Sequence, residues 1–220
     1  MSTDSGLDHV EVTETPEGNI DVEGDQYFIL SYGASESLMD AKEIDKLIKK
    51  AQRMIRSSPE YKEWVNSLKE LGLTRCSILG GIDDEHAKVE MHHYPYNLYT
   101  VVEMHLDKLF AEGKSVDTFT LATNVMDSHF KGIIGVVPLS KTVHELAHSD
   151  EVKIPLSLVF GDITKYIETF YDYHTPEQFE KLRQYAKITV VHSDVLNIAK
   201  QPSMKENPLT PKFLNSLNVI

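Results

Sequence analysis

The first 41 residues carry ten acidic side chains and not one lysine or arginine. A stretch of one-signed charge without apolar periodicity repels itself and has little to bury. The other 179 residues hold 24 acids and 22 bases, so most of the net charge of −12 belongs to the leader. Any core must therefore be built downstream of it. Residues 1–26 read as an acidic disordered tail, 27–73 as an N-terminal helical region, 74–150 as the core and 151–220 as a helical C-terminal extension.

Hydrophobic residues at 41% of 220 suffice for a sizeable interior. No apolar run approaches the roughly 20 residues that cross a bilayer, and Met1 to Ser5 lack the basic and apolar parts of a secretory signal. The single cysteine, Cys76, excludes an internal disulfide and a Cys-based zinc knuckle. These features predict a reduced, cytoplasmic protein with no membrane partner.

Residues 27–32 are compatible with a short strand. Ile44, Leu47, Ile48, Ala51, Met54 and Ile55 then recur at helical spacing and predict a helix over about 39–57. On its other face Lys42, Lys46, Lys49, Arg53 and Arg56 step by four and three, which lines five cations along one stripe. The stripe is either a solvated helix face or a track for a phosphate backbone. Ser58-Pro59 predicts a stop and a new helix, closed by Gly72. Residues 75–79 and 87–92 read as two strands of a hairpin turning through Gly80-Gly81. Helices are predicted over 97–112 and 116–129, a strand over 132–138, and a short helix capped by Ser140 and running to about 148. An apolar segment at 152–160 and helices over 162–172 and from Thr175 complete the pattern, the last opening on a Thr175/Gln178 capping box. The prolines beyond residue 200 predict a loosely organised end.

Two histidine pairs stand out among ten histidines. His92-His93 closes a strand, and His144 and His148 share one helix face. Composition alone yields about 0.4 pairs of either spacing, so it is their context that matters. Residues 135–148 spell Gly-Val-Val-Pro-Leu-Ser-Lys-Thr-Val-His-Glu-Leu-Ala-His. With the upstream His-His, this resembles the HNH, or ββα-metal, nucleases. The run from Arg56 to the His-His is also similar to proteins of tailed phages. The resemblance implies an α+β fold: a ββα-metal core with a two-helix insertion, flanked by N- and C-terminal helices. It implies that His92, His144 and His148 hold a divalent metal ion (zinc, magnesium or another transition metal). His93 would be the general base that deprotonates water for attack on a phosphodiester. Nucleic acid, DNA before RNA, would be the substrate. Because the body is nearly neutral, a protein partner would supply part of the affinity, in the host cytoplasm if the chain is phage-encoded. The asparagine that names the motif falls on Gly135, and Ser140 and Val143 stand where such proteins often carry cysteines.

Two alternatives remain open. His144-Glu145-Leu146-Ala147-His148 is also the HExxH pattern of zinc metalloproteases, with Glu145 to activate water and Glu168 placed as a third ligand. Alternatively, the chain is a non-catalytic binding or structural protein on an HNH-like scaffold. Tyr94, Tyr96 and Tyr99 either stack on bases or pack the core. The nuclease reading requires His92, His93, His144 and His148 to converge. The protease reading requires Glu168 beside the helical histidines.

Overall fold

The computed structural model describes residues 12–14, 20–22, 31–32 and 40–192, with side chains over 40–188. Among the described residues, three short strands precede the first helix: β1 (Val12–Glu14), β2 (Ile20–Val22) and β3 (Ser31–Tyr32). β1 and β2 pair with each other antiparallel, so the segment read as a structureless tail contains a small ladder.

Asp40 opens α1 (Ala41–Ser57) with a full capping box. Its carboxylate accepts from the N–H groups of Lys42 and Glu43, and the Glu43 side chain accepts from the N–H of Asp40. Leu47, Ile48, Ala51 and Ile55 are completely buried along one face. Ser58 ends this helix and caps α2 (Pro59–Glu70), with Pro59 at its first turn. Gly72 follows at φ 96°, the left-handed conformation that terminates a helix at low cost in glycine. Both helices follow the sequence pattern closely, because capping and periodicity agree there.

The expected hairpin over 75–92 does not form. Arg75 makes a single bridge to Asp83, while Ser77 donates to Pro138 instead. Asp83 and Asp84 accept from the backbone N–H groups of Glu85 and Val89, and this side-chain competition replaces the ladder. The first strand of the central unit is β4 (Val89–His93). After it come α3 (Leu98–Ala111), β5 (Val116–Asp117), which pairs with β3, and α4 (Thr118–Phe130). The chain then returns as β6 (Val136–Ser140), antiparallel to β4 with Val89 opposite Ser140 and His93 opposite Val136. α5 (Lys141–His148) follows immediately. Ser140 occupies its N-cap position, but its hydroxyl makes no capping bond and is buried without a partner.

The protein is thus α+β. Two strands and a helix, β4, β6 and α5, are interrupted by the α3–α4 insertion that the sequence required. α1 packs across α3 and α4, and its apolar face joins one continuous core with Leu98, Val102, Leu106, Leu121, Val125 and the inner residues of β6. Beyond α5, a 3-10 turn at Leu156–Leu158, α6 (Ile163–Thr169), a second 3-10 turn at Tyr171–Tyr173 and α7 (Pro176–His192) close the body. The capping box at Thr175 is present, with Gln178 donating to the hydroxyl and Thr175 to the amide oxygen. The proline-rich end beyond residue 200 lies outside the described residues.

Gly135 sits where β6 begins, and its carbonyl accepts from Tyr94 N–H. A Cβ there would overlap the Tyr94 carbonyl oxygen and lie 2.5 Å from Ile163 Cγ2 and 2.7 Å from Val159 Cγ1. The position admits no side chain, so the motif asparagine has no room at this point of the fold.

Candidate metal centre

β4 is a strand, and its side chains alternate between two faces. Glu90 and His92 therefore point one way, and Met91 and His93 the other. α5 lies on the Glu90/His92 side and presents His144 and His148, one helical turn apart, to that face. The His92 ring meets the other two edge-on, 4.9 Å from that of His144 and 5.0 Å from that of His148, centroid to centroid. One nitrogen from each of the three can be chosen so that all lie within 4.8 Å of one another.

Glu90 fixes the arrangement from behind. Its Oε2 lies 2.6 Å from His144 Nδ1, and its other oxygen is paired with Lys88. Burial alone pushes the Glu90 carboxyl up. The hydrogen bonds from Lys88 and His144 outweigh it and hold the group below its ordinary value. An ionised Glu90 accepts the Nδ1 proton of His144, which leaves the lone pair on Nε2. That nitrogen faces Nε2 of His148 at 3.1 Å. A carboxylate behind a histidine whose far nitrogen faces other imidazoles is the usual support of a metal-binding histidine.

His92 is pushed down to about 3, by burial first and then by the charges of His144, His148 and Arg56. His148 is also lowered, by burial first and then by His144 and Arg56, with Glu90 opposing. Neutral imidazoles are what a metal ion requires. The donor set of three nitrogens suits zinc or another borderline divalent ion better than magnesium, which prefers oxygen. His92 is buried and His148 exposed, so the cluster is open on the α5 side.

His93 does not join this cluster, contrary to the four-histidine convergence that the nuclease reading required. Adjacent residues of a strand face opposite ways, and His93 points into the core. There its Nε2 lies 2.9 Å from Nε2 of His129, and its ring stacks on Tyr61 and Trp64. Burial, then the neighbouring His129, hold it well below its ordinary value. Enclosed in this way, it lies on the opposite face of β4 from the three converging imidazoles.

The metalloprotease geometry is not met either. The third member of the cluster is His92, not Glu168, which is exposed on α6. α5 has only eight residues, and Glu145 is exposed on it. In the basic stripe, Lys42, Lys46 and Lys49 are exposed, with Lys49 paired to Asp45 at 3.0 Å. Arg53 is half-buried with its Nε enclosed and unpartnered. Arg56 is exposed in the last turn of α1, near enough for its charge to act on His92 and His148. Tyr94 and Tyr96 pack in the core, and the Tyr99 hydroxyl donates to Asp45. Glu90 belongs to neither histidine pair, and no sequence motif marks it. Its signal was its place two residues before His92, on the same strand face.

No helix among the described residues is long and apolar enough to cross a membrane. A family model described as bacteriophage G278-like virion protein matches residues 2–217. No curated protein and no solved structure gives a significant match.

Proposed function

We propose, from the premise that this chain belongs to the bacteriophage G278-like virion protein family, that it is a metal-binding virion component. A divalent transition ion held by His92, His144 and His148 would join α5 to β4. The observation that carries this reading is the Glu90–His144 hydrogen bond at 2.6 Å behind three converging imidazoles. A half-buried histidine that served only packing would not need a carboxylate to orient its free nitrogen toward two others.

A second reading keeps phosphodiester hydrolysis at this centre. It is favoured by Arg56, the last member of the α1 stripe and an exposed cation whose charge acts on His92 and His148. A bound ion would supply Lewis-acid stabilisation of a phosphate there, and Arg56 would hold the anion. Against it stand the enclosure of His93 and the absence of room at Gly135, the two positions that the nuclease resemblance assigns to the base and its support.

One set of proteins separates the readings. Purified wild type, loaded with zinc and desalted, should retain about one ion per chain, and His148→Ala should lose it while staying folded. Retention by His148→Ala equal to wild type would remove the metal centre. Nuclease activity on plasmid DNA that disappears in both His148→Ala and Arg56→Ala would establish the second reading. A metal-loaded protein without such activity leaves the first.

A further inference from the structure

A cleft of about 280 Å³ opens between α3, α4 and α6, and none of its lining residues belongs to the histidine cluster. Its floor is a buried polar pair. His105 Nδ1 lies 2.8 Å from the Val101 carbonyl oxygen, to which it donates, so Nε2 carries the lone pair and accepts the Ser128 hydroxyl at 2.8 Å. The serine oxygen keeps its own lone pairs for a donor entering the cleft. Leu109, Ile133 and Phe170 form an apolar wall.

Charge at the mouth is unbalanced. Lys108, Lys131 and Lys165 line the cleft, and none makes an ion pair among the described residues. Lys108 instead lies over the Phe170 ring, 5.1 Å from its centroid. Of the two acids in the lining, Glu112 is neutralised by Lys114 at 2.6 Å, which leaves Asp127 alone against three cations. The excess of two positive charges matches a phosphate monoester, which carries about −1.5 to −2 at neutral pH, better than a carboxylate. Helix ends account for part of this pattern. Lys108 and Lys131 stand at the C-terminal ends of α3 and α4, where the helix dipole favours a cation. Lys165 stands in the first turn of α6, where the dipole opposes one. Helix electrostatics therefore do not account for the third lysine, nor for the cleft beneath all three.

We propose that this cleft binds a small phosphate monoester of mononucleotide size or below. Its phosphate would lie among Lys108, Lys131 and Lys165, its ring against the apolar wall and a hydroxyl on Ser128. The volume, near the lower end for ligand pockets, is of the size of a single nucleoside monophosphate and excludes a dinucleotide. The site is independent of the metal centre, and the two can fail separately.

Calorimetric titration of the full chain in EDTA-containing buffer tests it, with uridine 5′-monophosphate, uridine and inorganic phosphate as probes. The monophosphate should bind one per chain, at least tenfold tighter than inorganic phosphate, and uridine should give no saturable heat. Lys131→Met and Lys165→Met, both exposed and tolerant of substitution, should each weaken binding at least fivefold. His148→Ala should leave it unchanged. No saturable binding by the monophosphate overturns the proposal, as does equal affinity for inorganic phosphate. Binding lost in His148→Ala but kept in Lys165→Met would place the anion at the histidine cluster and likewise overturn it.

Discussion

Glu90 accepts the Nδ1 proton of His144 and is itself held ionised by Lys88. It stands behind His144 and outside the set of three converging nitrogens, so at the proposed metal centre its role would be positioning. Replacing it by glutamine keeps the size and one acceptor but removes the charge that makes His144 a strong donor through its other nitrogen. Glu90→Gln should lower zinc affinity about 10- to 100-fold, the usual range for such supporting groups. The metal-free protein should keep its melting temperature within a few degrees. Competition against a chromophoric chelator measures the first quantity and thermal unfolding in EDTA the second. Unchanged affinity would mean that the carboxylate serves only the fold.

At the scale of elements, the sequence carries α1, α2, α3 and α4 legibly, because caps and apolar periodicity agree in each, and α5 by its spacing alone, since Ser140 does not cap it. It failed between 75 and 88, where Asp83 and Asp84 give their carboxylates to the backbone and leave no ladder for a hairpin. The partner of β4 is instead β6, more than forty residues on, a pairing that local pattern does not encode. The site shows the same division. Helical spacing placed His144 and His148 together, and the strand context brought His92 to them. Two-residue alternation within the strand also forbids His93 from facing the same way, a constraint that motif resemblance overrode. α5 is the least anchored part of this unit: it has eight residues, one fully buried side chain and no side-chain cap. Local opening of α5 separates His144 and His148 from His92, so an ion bound to all three must resist that opening. With zinc at about 100 times its dissociation constant, hydrogen exchange of the α5 amides should slow by roughly two orders of magnitude, with α3 little affected. Equal slowing throughout, or none, would show that the ion does not bridge these elements.

The molecule also encloses imidazoles that are not among the three of the candidate metal centre, and these make its stability depend on pH. His105 and His129 are buried in the α3–α4 packing and pushed down to about 4. Burial is the main cause. The bonds from each Nδ1 to the carbonyls of Val101 and Val125 pull the other way and do not compensate. His105 also feels His129, Lys108 and Lys131, and His129 lies against His93. In the unfolded chain both histidines titrate near the ordinary ~6.5. Between the two values the unfolded state binds more protons than the folded one, so acid favours unfolding. Their contribution is complete above about pH 6.5 and is lost progressively as the pH falls toward 4. The slope reaches at most ~1.4 kcal/mol per pH unit for each histidine, or ~2.7 for the two. Urea unfolding in EDTA should therefore show a midpoint that is level from pH 8 to 7 and falls steadily from 6.5 to 4.5. In His105→Gln, which retains a polar group able to meet Ser128, the midpoint should fall less steeply over the same interval. A wild-type midpoint that stays level down to pH 4.5 would mean that these imidazoles are protonated in the folded protein. The interior of the α3–α4 pair would then have to open to water as the pH falls.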